Sequence, residues 1–244
     1  MKFVAAIEAR MTSSRLPGKP LLKAAEKTML AHLVERLNLV PSLDSIVLAT
    51  TVNAEDDVLV SEAKNLDIQF FRGSEDNVME RVIGAASMYG ADIVVEITGD
   101  CPIIDPGIVE QTINMFKAHD VDYVSNAIVR SYPDGMDVQV FALDTLCQSA
   151  SMTNDPLDLE HVTLHIRNNS EIFSRVHLVS PPELYWPDLG LTLDEQKDYE
   201  LISSIIEYFA EVNPIFSCLE VINYLKSNPR LVDINKTVFR KGNT

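Results

Sequence analysis

At 244 residues, 46% hydrophobic and 23% charged, the chain is long and apolar enough for one large globular domain with a full core. Its net charge of −16 argues against a nucleic-acid binder, which relies on many Lys and Arg contacts to phosphate, and no run of roughly 18 apolar residues offers a membrane span. Cys101, Cys147 and Cys218 are far apart and form no C-x-x-C pair, so neither a disulfide frame nor a zinc site is expected.

The opening run Phe3-Val4-Ala5-Ala6-Ile7 stops at Glu8 and Arg10, too soon for a secretion signal, and a cytoplasmic location is expected. The run reads instead as a buried parallel strand over 2–8. Helical spacing follows over 29–39, 55–65 and 77–89, the last ending at Gly90, where a helix stop belongs. Strands are expected between these helices at 45–51, 68–71 and 92–98. This alternation implies an α/β fold, a mostly parallel sheet covered on both faces. Asp105-Pro106 opens a helix to about residue 117, and strand candidates follow at 121–125 and 137–142.

Residues 126–170 break the pattern, with a polar loop over 126–134 and a helix over 157–168. A strand at 172–179, the Pro181-Pro182 and Trp186-Pro187 punctuation, and helices over 194–212 and 217–227 close the chain. Beyond 228 the sequence carries little pattern. The expected organisation is a single domain over 1–244 with a small inserted lobe at about 126–170.

Charge is distributed unevenly. The first 20 residues hold Lys2, Arg10, Arg15 and Lys19 against Glu8 alone, on a strongly acidic chain. Arg10, Arg15 and Lys19 follow the first strand, and ligands of open α/β sheets bind at the carboxyl ends of strands. Two guanidinium forks and one ammonium suit phosphate oxygens. The plainer reading is a solvated loop of surface ion pairs. The loop is no Walker A motif, since Ser13 stands where the first glycine belongs and Pro20 follows Lys19. No G-x-G-x-x-G follows a strand, which disfavours a dinucleotide.

Asp100 falls just after the 92–98 strand, on the same sheet edge as the basic loop. It is either a helix cap or a ligand for Mg²⁺, which takes one or two carboxylates together with substrate phosphates. Asp105 before Pro106 is the better cap. Asp194, at the end of an expected short alternating strand Leu191-Thr192-Leu193, offers a second metal carboxylate or an N-cap. His161 and His165 are four apart, a metal-ligand spacing on a helix, but lack the Glu of H-E-x-x-H; packing is the competing reading.

Six stretches occur in a recognisable order: E-A-R-M-T-S-S-R-L-P-G-K-P-L at 8–21, F-R-G-S-E-D-N-V-M-E-R-V at 71–82, T-G-D-C-P-I-I-D-P at 98–106, Y-P-D-G-M-D-V-Q-V-F at 132–141, L-E-H-V-T at 159–163 and L-T-L-D-E-Q-K-D-Y-E-L-I at 191–202. Together they resemble the cytidylyltransferase family of the spore coat polysaccharide biosynthesis protein F type, itself similar to CMP-KDO and CMP-sialic acid synthetases. The resemblance implies a three-layer nucleotide-diphospho-sugar transferase-like (glycosyltransferase-A-like) fold, CTP as donor, Mg²⁺ as cofactor and an acidic or phosphorylated sugar as acceptor.

By matching position it implies that Arg10, Arg15, Lys19 and Asp100 act in catalysis and that Asp100 and Asp194 bind the metal. Nucleotide contacts would come from Ala9, Arg10, Ser14, Arg15, Lys19, Thr98 and Gly99, and from Arg72, Ser74, Asp76, Asn77 and Arg81 near the base and ribose. Asp134, Asp137, Glu160 and His161 would face the acceptor. Gly190 stands where such relatives often carry Arg or Trp, and Gln139 replaces a common Glu. A homodimer through 126–170 is expected by the same analogy. Two other activities fit the same residues: a metal-dependent glycosyltransferase using a nucleotide sugar, and a nucleotide-binding protein without turnover.

Overall fold

A computed structural model of the chain describes residues 1–240. The first strand, β1 (Phe3–Glu8), is buried at every position but its last, as a central parallel strand requires. A 3₁₀ turn at Lys19–Leu21 leads to a small hairpin, β2 (Lys23–Ala24) and β3 (Lys27–Thr28), and then to α1 (Met29–Leu37). Thr28 caps α1 by accepting the Ala31 N–H at 3.0 Å, a contact of about 1 kcal/mol. The regular alternation continues through β4 (Ser45–Thr51), α2 (Asp57–Asn65), β5 (Gln69–Gly73), α3 (Val78–Met88), β6 (Ile93–Thr98) and α4 (Pro106–Ala118). Then come β7 (Tyr123–Ser125), β8 (Gln139–Ala142), α5 (Leu143–Met152), α6 (Pro156–Glu160), α7 (Leu164–Asn168), β9 (Arg175–His177), α8 (Gln196–Val212), α9 (Cys218–Ser227) and α10 (Pro229–Val232).

Seven strands form one sheet in the order β5-β4-β1-β6-β8-β7-β9, and only β8 runs against its neighbours. Strand residues alternate between two apolar cores. Phe3, Ala5, Ile7, Ile93, Val95 and Ile97 pack with Leu33, Leu37, Ile108, Ile205 and Ile222 on one face. Val4, Ala6, Val47 and Val94 pack with Val82, Ala85, Leu146 and Phe173 on the other. After β1 the chain steps outward to β4 and β5, then returns past β1 to β6. The strand order therefore reverses between β1 and β6, and such a reversal opens a crevice at the carboxyl ends of the two strands.

The α/β fold and the mostly parallel sheet are those expected from the alternation. Residues 126–170 are less separate than their sequence suggests, because β8 is a full member of the sheet and α5 to α7 cover its second face. Helix α5 escapes the sequence reading because it follows β8 with no side-chain cap and no turn residue. The helix expected over 157–168 is two short ones, broken where Val162 takes φ 44°. Leu191, Thr192 and Leu193 are all buried and form no strand; the alternation there reflects packing on both sides. No described helix is long and apolar enough to cross a membrane.

Candidate active site

A cavity of about 610 Å³ opens at the carboxyl ends of β1 and β6. Glu8, Ala9 and Arg10 form one wall; Thr98, Gly99 and Asp100 form the adjacent one. The basic loop closes over them with Ser14, Arg15 and Lys19, and Asp76, Arg81, Glu160, His161 and Asp194 complete the lining among residues anticipated from sequence.

The loop and the two distant aspartates meet. Lys19 Nζ lies 2.9 Å from Asp100 Oδ2 and 3.1 Å from Asp194 Oδ1, and Arg15 Nη2 lies 2.9 Å from the same Asp194 oxygen. Burial works to lower the Lys19 pKa, but Asp100 and Asp194 outweigh it and hold it above the ordinary value. Burial likewise works to raise Asp100, yet the Lys19 charge and hydrogen bonds from Thr98 and Lys19 leave it below the usual carboxylate range. Both groups are thus ionised at neutral pH.

Local structure explains why these carboxylates are available. Asp105, not Asp100, caps α4, accepting the Gly107 N–H at 2.7 Å with Pro106 at the first helical position. Glu195, not Asp194, is the N-cap of α8, in a capping box with Asp198. Each capping role open for the two site aspartates is filled by a neighbour.

Five anticipated residues lie off the cavity wall. Arg72 is a strut between β5 and the loop after β4: it donates to Thr51 O, Asn53 O and, at 2.6 Å, Asp57 Oδ1. Ser74 accepts the Asn77 N–H and Asn77 caps α3 by accepting from Glu80 N, so both shape the turn beside the cavity. Asp134 bridges to Gly190 behind the 190–194 stretch. Gly135 next to it has φ +103° and presses on that stretch; a Cβ there would come within 2.6 Å of Leu191 C. Asp137 is half-buried, and loss of solvation together with Asp134 pushes its pKa up to about 7.

The sequence reading missed Glu75 and Glu8 as wall residues. Glu75 receives Arg10 Nη1 at 2.9 Å, Thr12 Oγ1 at 2.8 Å and Asn53 Nδ2 at 2.5 Å, so it sets the direction of the first loop cation. No spacing signal marks it. Glu8 had one, an acid ending an apolar strand. Its Oε1 and the Nε of Arg81 are buried without a hydrogen-bond partner among the described residues. His161 reaches the cavity, whereas His165 turns away to Ser149 Oγ at 3.1 Å and the Phe173 ring, so the pair shares no ligand.

A mostly parallel sheet with cations and acids gathered at its switch point has the make-up of a nucleotide-binding transferase site. Sequence comparison agrees: the profile of the family described as cytidylyltransferase matches residues 4–235, and the chain belongs to that family. It is 31% identical to the spore coat polysaccharide biosynthesis protein SpsF of Bacillus subtilis, over 91% of this chain and 93% of that one. It is 32% identical to the 3-deoxy-manno-octulosonate cytidylyltransferase of Solibacter usitatus, over 56% of this chain and 53% of the relative. Among solved structures, a cytidylyltransferase from Leptospira borgpetersenii superimposes with TM-score 0.91 at 33% identity, covering 98% of this chain and all of that one. The CTP complex of CMP:2-keto-3-deoxy-manno-octonic acid synthetase shares the fold, with TM-score 0.62 at 18% identity, covering 85% of this chain and 99% of that one.

Proposed function

We propose that this cytidylyltransferase couples CTP to an acidic or phosphorylated sugar, giving a CMP- or CDP-activated sugar and pyrophosphate for cell-surface polysaccharide synthesis. An acceptor oxygen attacks the α-phosphorus, the bond to the β-phosphate breaks, and pyrophosphate leaves. The observation that carries this reading is the convergence of Lys19 and Arg15 on Asp100 and Asp194 at the cavity wall.

Arg10, Arg15 and Lys19 would hold the triphosphate and balance the charge that grows on the departing pyrophosphate. Glu8 and Arg81 line the same cavity and bring a carboxyl and a guanidinium suited to the polar edge of a pyrimidine. Glu160 and His161, also on the cavity wall, would contact the acceptor. Positioning does most of the work in such a transfer, because little covalent chemistry is required of the protein.

The residues present suit Mg²⁺. Among the described residues no cluster of three or more His, Cys, Asp or Glu is arranged to cage a metal, but two carboxylates already share one cation, the Lys19 ammonium. Mg²⁺ asks for no more than one or two carboxylates beside substrate phosphates. Asp100 and Asp194 would hold it, and it would supply charge neutralisation on the phosphates.

The test is pyrophosphate release from each of four nucleoside triphosphates with Mg²⁺ across a panel of sugar acids and sugar phosphates. Release from CTP with one acceptor class is expected. Release from no triphosphate with any acceptor, or from a purine nucleotide alone, would overturn the reading.

A further inference from the structure

The segment after α10 returns to the nucleotide site. Arg15 Nη1 donates to Phe239 O at 3.2 Å, and Lys197 Nζ donates to Thr237 Oγ1 at 3.1 Å. Arg240 and Asn235 are buried, only 7% and 4% exposed. Arg240 places Nη2 at 2.8 Å from Asp198 Oδ1, Nη1 at 2.6 Å from Thr192 Oγ1 and Nε at 3.6 Å from Asp134 Oδ2. Asn235 Nδ2 reaches the same Asp198 oxygen at 2.8 Å and Gly190 O at 2.9 Å. The guanidinium lies flat on Gly190, overlapping the position any Cβ would occupy, so only glycine lets it in.

The Arg240 and Asn235 donors all end on residues 134 and 190–198, and the Asp198 contact matters most. Asp198 is fully buried, and its other oxygen, Oδ2, accepts the backbone N–H groups of Asp194 at 3.1 Å and Glu195 at 2.9 Å. An ordinary capping box at a helix surface needs no buried cation. A buried carboxylate does need one, or its orientation and its charge are both costly to keep. Arg240 supplies that cation from a segment more than 40 residues further along.

We propose that Arg240 is a positioning residue for Asp194, acting through Asp198: the segment 233–240 locks the turn that aims Asp194 at Lys19 and Arg15. This rests on the reading of Asp194 as part of the CTP site. Arg suits the task because its fork engages Thr192 and Asp198 at once, which the single ammonium of Lys does not.

The test compares Arg240→Ala and Arg240→Lys with wild type and with Lys197→Ala, which removes only the Thr237 tether. Two readouts are taken: amide hydrogen exchange of peptides spanning 190–196, and CTP affinity by calorimetry in the presence of Mg²⁺. In Arg240→Ala, exchange at Asp194 and Glu195 is expected to rise at least about tenfold while the carboxyl half of α8 is unchanged. CTP affinity is expected to fall at least about tenfold. Arg240→Lys should show smaller shifts in the same direction, and Lys197→Ala should stay within about twofold of wild type. Unchanged exchange over 190–196, or CTP affinity within about twofold in a folded variant, would overturn the proposal. If Arg240→Ala does not fold, Arg240→Lys decides by the same two readouts. If wild type itself fails to bind CTP, the nucleotide reading falls, and the exchange data still decide whether Arg240 holds the Asp194 turn.

Discussion

Asp100 and Asp194 converge on Lys19 at the cavity rim, whereas Glu8 and Glu96 lie on the α3 face of the sheet with no ion pair among the described residues. Glu96 pairs in register with Ala6, two residues below Glu8 on the same face. Its nearest partner is the neutral Gln139, whose Nε2 donates to it at 2.6 Å. Burial pushes the Glu96 pKa up to about 8, with Arg167 opposing. Burial and then Glu96 push Glu8 well above the carboxylate range, against Arg81. Glu8 and Glu96 lie on the neighbouring strands β1 and β6, Asp100 in the turn after β6 and Asp194 in the loop before α8; the two pairs differ chiefly in the presence of a facing cation. That difference keeps Asp100 ionised and ready for ligands, and leaves Glu8 and Glu96 with a proton to keep.

Removing the cation is the most severe way to break the contrast. Lys19→Ala leaves Asp100 without a facing cation and Asp194 with Arg15 alone. Pyrophosphate release from CTP should fall at least about 100-fold, or about 2.7 kcal/mol, and Asp100→Asn should do the same. Near-normal turnover in either variant would show that these residues are not the working pair.

The second pair is tested through pH. Glu96 keeps its proton to about pH 8 in the folded protein and loses it near 4.3 when unfolded. The folded state therefore binds the extra proton between those values, and stability falls as pH rises through that window, by at most about 1.4 kcal/mol per pH unit. Glu96→Gln keeps an acceptor for Gln139 and removes the titration. Denaturant melts between pH 5 and 8 should show a flatter profile for the variant; identical slopes would sink the assignment.

The smallest effect is expected at the rim. Glu75→Gln weakens the hold on Arg10, which is 41% exposed, so CTP affinity should change by only about two- to fivefold. A loss near that of Lys19→Ala would mean that Glu75 does more than steer Arg10.

Legibility in the sequence follows the same division. The alternation from β1 to α4 was readable because each strand is a short apolar run and each helix has a cap or a stop, as at Thr28, Asn77 and Asp105. The Lys19 loop was readable because charge of one sign is concentrated on an acidic chain. The side of the site built from 126–194 was not, for physical reasons. Helix α5 starts without punctuation, Val162 breaks a periodic stretch by a backbone angle no pattern encodes, and Leu191 to Leu193 alternate without being a strand. Arg240 was invisible: its meaning depends on the bare Gly190 backbone 50 positions earlier, and no local window spans both.

The pre-engaged cations of the loop have a kinetic consequence. The cavity wall sets Arg10, Arg15, Lys19 and Arg81 against Glu75, Asp76, Asp100, Glu160 and Asp194, on a body of net charge −16. A polyanion approaching such a surface meets repulsion at long range and attraction only on arrival, where it must exchange partners with carboxylates already seated. Screening by salt then speeds encounter instead of slowing it, the reverse of the steering found where a basic funnel faces solvent.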